Sequence, residues 1–251
     1  MRQTAALATV LTVGSGTALG HAQECPAPVG AAPSLAGQDT ATRLAFIRQT
    51  LADTARTERR FALGWSLSYV GLSVGAWAVL PFSKDPTDPG QRLETAWNSG
   101  TSALAALTSL IGPVGVIRQQ QRLEKLLART QPNDDPCATL VAAERIFADA
   151  AKNQAGAHSA RAHLGNFAVN VGLGLVLAYG LRRPDGAAIN TTVGIALGEL
   201  MIVTRPTQAE RSLASYRAGD LHPQPPSPAL PLVLTPLRTS TDYGLALAGT
   251  F

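Results

Sequence analysis

The sequence predicts an all-α protein: two duplicated apolar helical hairpins with flanking amphipathic helices, plus a short C-terminal β-hairpin. Two near-uncharged stretches carry this reading, because Phe61 to Leu80 and Ala162 to Leu181 align at an offset of 101. Leu63 then falls on Leu164, Gly64 on Gly165, and Val70-Gly71-Leu72 on Val171-Gly172-Leu173. Each stretch is followed by a polar loop, a second apolar run and a basic segment, with Ala96-Trp97-Asn98 over Ala188-Ile189-Asn190. Self-similarity at this spacing marks a supersecondary unit that needs a neighbour to bury its apolar face. Composition agrees: 45% of residues are apolar and 15% charged, where soluble domains carry roughly a quarter charged.

The N-terminus reads as an export signal over residues 1–22. Arg2 is the charged end, Ala5 to Leu19 the apolar core, and Gly20-His21-Ala22 a small-x-small cleavage site. Residues 23–37 form a Pro/Ala/Gly-rich linker expected to be irregular. Cys25 and Cys137 are the two cysteines, each lying just ahead of one half. In an exported chain an even count reads as one disulfide.

The first unit covers 38–131 and the second 132–219. Asp39 offers an N-cap for a helix from Thr40 to Arg60, whose Leu44, Ile47 and Leu51 recur at helical spacing. That helix runs into Phe61 to Leu80, about 20 uncharged residues and so long enough to cross a bilayer. Pro81 ends it. The second run, Thr95 to Ile117, is interrupted at Gly112-Pro113, and an amphipathic helix follows to Arg129. Asp135 as N-cap and Pro136 at the first helical position restart the chain. The second unit repeats the plan, broken at Arg182 to Gly186 and closed by a helix from Thr207 to Arg217.

A proline-rich linker, 220–231, leads to the tail 232–251, read as two short strands. In the last, Tyr243, Leu245, Leu247 and Phe251 share a face. Its alternation and terminal aromatic resemble the C-terminal strand of bacterial outer-membrane barrels. Nothing upstream supplies the alternating strands a barrel needs. The strand Tyr243 to Phe251 is therefore expected to pack on the helices or pair with a protein partner.

Membrane lipid is the expected environment. Gly64, Gly71, Gly75, Gly165 and Gly172 are expected to let helices pack closely. Charge placement conflicts with export. The two hairpin loops hold Lys84, Arg92, Arg182 and Arg183, whereas the other side holds fifteen basic residues. The positive-inside rule places that richer side in the cytoplasm, and a cleaved signal places it outside.

No catalytic set emerges. Gly71-Leu72-Ser73-Val74-Gly75 matches a nucleophile elbow but lies in a helical run without the required preceding strand. His158 and His163 are five apart, off one helical face, and no metal site is expected. Phosphate-binding glycine loops are absent, and no cofactor is expected. Scattered arginines without aromatic interleaving exclude nucleic acid as the expected partner. Glu199 stands out, a carboxylate among apolar neighbours that is costly unless paired. A polar site of Glu199 with Asn166, Asn170 and His163 is its expected setting. The leading functional expectation is a non-enzymatic, exported cell-envelope membrane protein with a structural or interaction role. Alternatives are a transporter or pore component using Glu199 at the repeat interface, and a soluble periplasmic bundle enclosing a lipid or apolar ligand.

Overall fold

The computed structural model describes residues 25–82, 85–111 and 114–222, with the backbone of 233–238 and 243–248. The signal segment 1–22 and most of the proline-rich linker lie outside the described residues. The helices are α1 (Pro33–Ala36), α2 (Thr40–Val79), α3 (Pro89–Ile111), α4 (Val114–Arg129), α5 (Pro136–Ala157), α6 (Ala160–Leu175), α7 (Pro184–Val203) and α8 (Gln208–Arg217). A wider helical turn, Val176–Gly180, extends α6. In the tail, the backbone of β1 (Val233–Arg238) runs antiparallel to β2 (Tyr243–Ala248), with Leu234 opposite Leu247.

Helix α2 begins where Asp39 accepts from the backbone N–H groups of Ala41 and Thr42, at 2.8 and 3.1 Å. It then continues for 40 residues, about 60 Å at 1.5 Å per residue, twice what a bilayer core requires. Its first half buries a helical stripe through Arg43, Phe46, Ile47, Thr50, Leu51, Thr54 and Glu58. Against that stripe α4, α5 and α8 form a helical head whose core includes Ile47, Leu51, Leu123, Leu140, Phe147 and Tyr216. Phe147 meets Phe46 and Tyr216 edge-on, and Tyr216 stacks on Phe46 at 5.8 Å. Contacts of Arg43 with Glu144 and of Glu58 with Gln154 show that α2 and α5 run in the same direction. Helix α4 runs opposite to α2, since Arg48 pairs with Glu124 while Gly115 sits beside Asn153.

A disulfide joins Cys25 to Cys137, as the cysteine count predicts. It pins the segment before α2 onto α5. The linker 26–37 is not wholly irregular. It contains α1, and Leu35 is fully buried in the head core. A leucine with apolar surface to bury overrides the turn-rich composition around it. Gly219, at φ +80° just past α8, allows the close approach of α1 to that helix end.

Among the described residues, four helices are long and apolar enough to cross a membrane. Their apolar stretches form two hairpins, the second half of α2 with α3 and α6 with α7. Arg183 reaches Glu94 and Asp88 at 3.4 and 3.7 Å, so both hairpin loops lie at one end and the head at the other. Trp65 and Tyr69 of α2 pack with Ala106 of α3 and with Leu197, Leu200 and Met201 of α7. The contact between α2 and α3 is also polar: Ser73 Oγ donates to the Ser99 carbonyl and Ser99 Oγ to the Ser73 carbonyl, both at 3.0 Å.

Two expectations are corrected. A Cβ on Gly64, Gly71, Gly75, Gly165 or Gly172 would meet open space, so these glycines mediate no helix contact among the described residues. Within the second hairpin, Gly174 instead lies against Thr191, and Gly194 and Gly198 against Asn170 and Asn166. The reason is rotational: four-residue spacing defines a face but not the direction it points. The halves also differ in continuity. Helix α2 passes unbroken from head to apolar span, whereas His158 and Ser159 interrupt the chain between α5 and α6.

Candidate polar site at the head end of the second hairpin

The four residues singled out around Glu199 come together. Helix α6 carries His163, Asn166 and Asn170 at three- and four-residue steps, which places them on one face. That face meets Glu199 on α7. His163 Nδ1 lies 2.5 Å from one carboxylate oxygen of Glu199. Asn166 Nδ2 donates to the other oxygen at 2.9 Å and to the Ile195 carbonyl at 3.0 Å. Asn170 Nδ2 donates in turn to Asn166 Oδ1 at 2.8 Å. The result is a continuous polar chain, His163–Glu199–Asn166–Asn170, running along the seam between two apolar helices.

Glycine makes this chain fit. Gly194 and Gly198 leave room on α7 for the side chains of Asn170 and Asn166, and any Cβ there would collide with their carbonyl oxygens. The sequence signal was present as Gly194-Ile195-Ala196-Leu197-Gly198 directly before Glu199.

The site is not at mid-span. His163 is the fourth residue of α6, and Glu199 lies one turn before the end of α7 at Val203. Their side chains remain 39% and 37% exposed. A carboxylate near a helix end lies at the edge of the apolar stretch, where its ionic form is less costly than at the centre. Chemically the arrangement can hold one proton or orient one cationic group. It is one carboxylate and one imidazole, and no cluster of three metal-ligating side chains occurs among the described residues. Ser73 lies inside α2 and donates to the Ser99 carbonyl, so it does not stand on the strand–turn–helix bend of a nucleophile elbow.

Two buried polar clusters escaped sequence reasoning. Arg43 is fully buried. Its Nη1 donates to the Cys25 carbonyl at 2.8 Å, its Nε to the Tyr216 hydroxyl at 3.0 Å, and its Nη2 pairs with Glu144. The Tyr216 hydroxyl donates to the same carboxylate. Burial, with that carboxylate adjacent, pushes the Tyr216 hydroxyl pKa well above its usual value. Nearer the apolar hairpins, Glu58 accepts from Gln154 Nε2 at 2.8 Å and faces Arg205 Nη2 at 3.6 Å. Gln154 Oε1 accepts from the Ala209 N–H at 2.8 Å. Burial raises the Glu58 pKa, partly opposed by Arg205 and Gln154. A cavity of about 50 Å³ lined by Trp65, Ser109, Met201 and Arg205 adjoins this cluster. The signal for both was helical register. Arg43 and Glu58 fall on the same α2 stripe as Ile47 and Leu51, where a charged residue must be paired.

No family model, curated protein or solved structure matches the chain.

Proposed function

We propose that this chain is a four-span membrane protein of the cell envelope whose disulfide-tied helical head has a structural or interaction role. One observation carries the reading. Of the 22 large apolar side chains exposed among the described residues, 20 lie between Leu63 and Ile111 or between Leu164 and Val203, the regions of the two hairpins. Val29 and Val141 are the other two. The head has its apolar residues inside, while the hairpins turn leucines, valines and aromatics outward and place Ser73, Ser99, Asn166 and Asn170 at helix contacts. That inversion suits a hydrocarbon solvent, where small and polar residues join helices and apolar ones face out. A soluble bundle enclosing a ligand would need the opposite arrangement. Alkaline-carbonate extraction of separated membrane fractions tests this: retention in the pellet is expected, and release into the supernatant would overturn it.

The head faces an oxidising compartment, in this reading, with the hairpin loops on the cytoplasmic side. The Cys25–Cys137 bond supports it, because cystines do not persist against cytosolic thiols. The basic excess on the head argues for the reverse, but that rule is a bias in insertion whereas reduction removes the bond outright. Protease added to intact spheroplasts should cut the head and spare the loops.

The duplication read from the sequence gains support from two contacts. Arg43 and Glu144 are separated by the same 101 positions as the aligned apolar stretches, and so are Phe46 and Phe147, whose rings lie 6.3 Å apart. Equivalent positions that touch are what paired copies of one unit produce. The tail strand Tyr243–Ala248 is proposed to offer its free edge to a protein partner.

A second reading has its own observation, the chain from His163 through Glu199 to Asn170. It would serve a transporter or pore component that moves a proton at the head-side surface. Glu199→Gln should abolish transport in that case and leave a scaffold assembled and active.

A further inference from the structure

Four arginines border the apolar spans at the head end. Arg59 and Arg60 immediately precede Phe61 on α2, Arg161 opens α6, and Arg118 lies in the first turns of α4. They occupy neighbouring levels. Gln154, shortly before α6, is beside Glu58, and Gly115, three residues before Arg118, is beside Asn153. All four are exposed. Among the described residues none of their side chains forms an ion pair or hydrogen bond, in contrast to Arg48, Arg56 and Arg205, which pair with Glu124, Asp53 and Glu58. Lipid-facing apolar residues begin within a turn of the collar at Leu63 and Leu164.

Resting on the membrane-spanning reading, we propose that this arginine collar binds the headgroups of anionic phospholipids in the leaflet adjoining the head. A guanidinium presents a planar fork of N–H donors that matches phosphate oxygens, and its apolar stem can lie along the acyl boundary while the charge reaches the headgroup layer. Unpaired cations continuous with an apolar girdle complement a surface that is apolar below and negative above. Each arginine near an anionic surface corresponds to about a fivefold gain in partitioning. Four together therefore select anionic over zwitterionic lipid strongly, and the selection weakens with salt.

The test uses the full chain purified in detergent, delipidated, and offered equimolar phosphatidylglycerol and phosphatidylcholine. Bound lipid is read by native mass spectrometry. The expected result is at least tenfold preference for phosphatidylglycerol. In the combined variant R59Q/R60Q/R118Q/R161Q the preference should fall at least tenfold, whereas four Arg→Lys replacements should retain most of it. Circular dichroism and the intact disulfide check that both variants fold. Equal retention of the two lipids by the unaltered chain, or an unchanged preference in the Gln variant, would overturn the collar. Failure of the unaltered chain to insert into vesicles of either lipid would instead remove the membrane-spanning reading beneath it.

Discussion

Glu144→Ala should release the centre of the head. Arg43 is fully enclosed and depends on Glu144 for its only carboxylate among the described residues. Two of its remaining acceptors are the Cys25 carbonyl at 2.8 Å and the Tyr216 hydroxyl at 3.0 Å. Removing one partner of a buried ion pair leaves an uncompensated charge and costs about 3–5 kcal/mol. At roughly 1.4 kcal/mol per decade, amide hydrogen exchange in the protected parts of α5 and α8 should accelerate by about two to three and a half orders of magnitude. Exchange in the α6–α7 hairpin should change far less, since that hairpin packs on α2 and α3 through Leu197 and Met201. Glu144→Gln keeps an acceptor for Tyr216 and Arg43 while deleting the charge, so its effect should fall between wild type and Ala. Acceleration below tenfold in both variants would refute the reasoning, because it would mean that the Arg43 guanidinium finds water without unfolding the head.

Other outcomes follow from the same packing. Replacing Cys137 and Cys25 with Ser should destabilise the head by about 2–4 kcal/mol in exchange measurements. The bond closes a separation of 112 residues, but two inserted spans within that loop already limit its unfolded freedom. Gly198→Val should displace Asn166 from Glu199 and lower the thermal stability of the second hairpin. Gly71→Ala, facing open space, should raise helix stability by up to about 1 kcal/mol. For Glu58 the folded pKa lies above the ordinary 4.5, so the folded state binds the extra proton. Its contribution to stability is therefore full at low pH and lost as pH rises from about 4.5 through the raised value. Glu58→Gln should flatten that slope in a pH series of unfolding midpoints.

Much of this protein was legible from residue order alone, because the relevant physics is local. Asp39 and Asp135 ahead of helical runs and Pro136 at a first turn act within a few residues of themselves, whereas Gly112-Pro113 lie outside the described residues. The apolar stretches announced four helices able to span a bilayer, since length and composition decide that. Placing Glu199 with Asn166, Asn170 and His163 was also accessible, for a carboxylate in an apolar run requires polar company and few candidates existed. What periodicity could not supply was rotation and depth. Gly71 and Gly75 have the spacing of a packing motif yet point away from every described helix, while Gly194 and Gly198 receive the asparagines. The pairs Arg43–Glu144 and Glu58–Arg205, each with one fully buried member, join residues 101 and 147 positions apart. No local rule selects such partners. They are decided when four helices close around one core and every buried charge must find the opposite one.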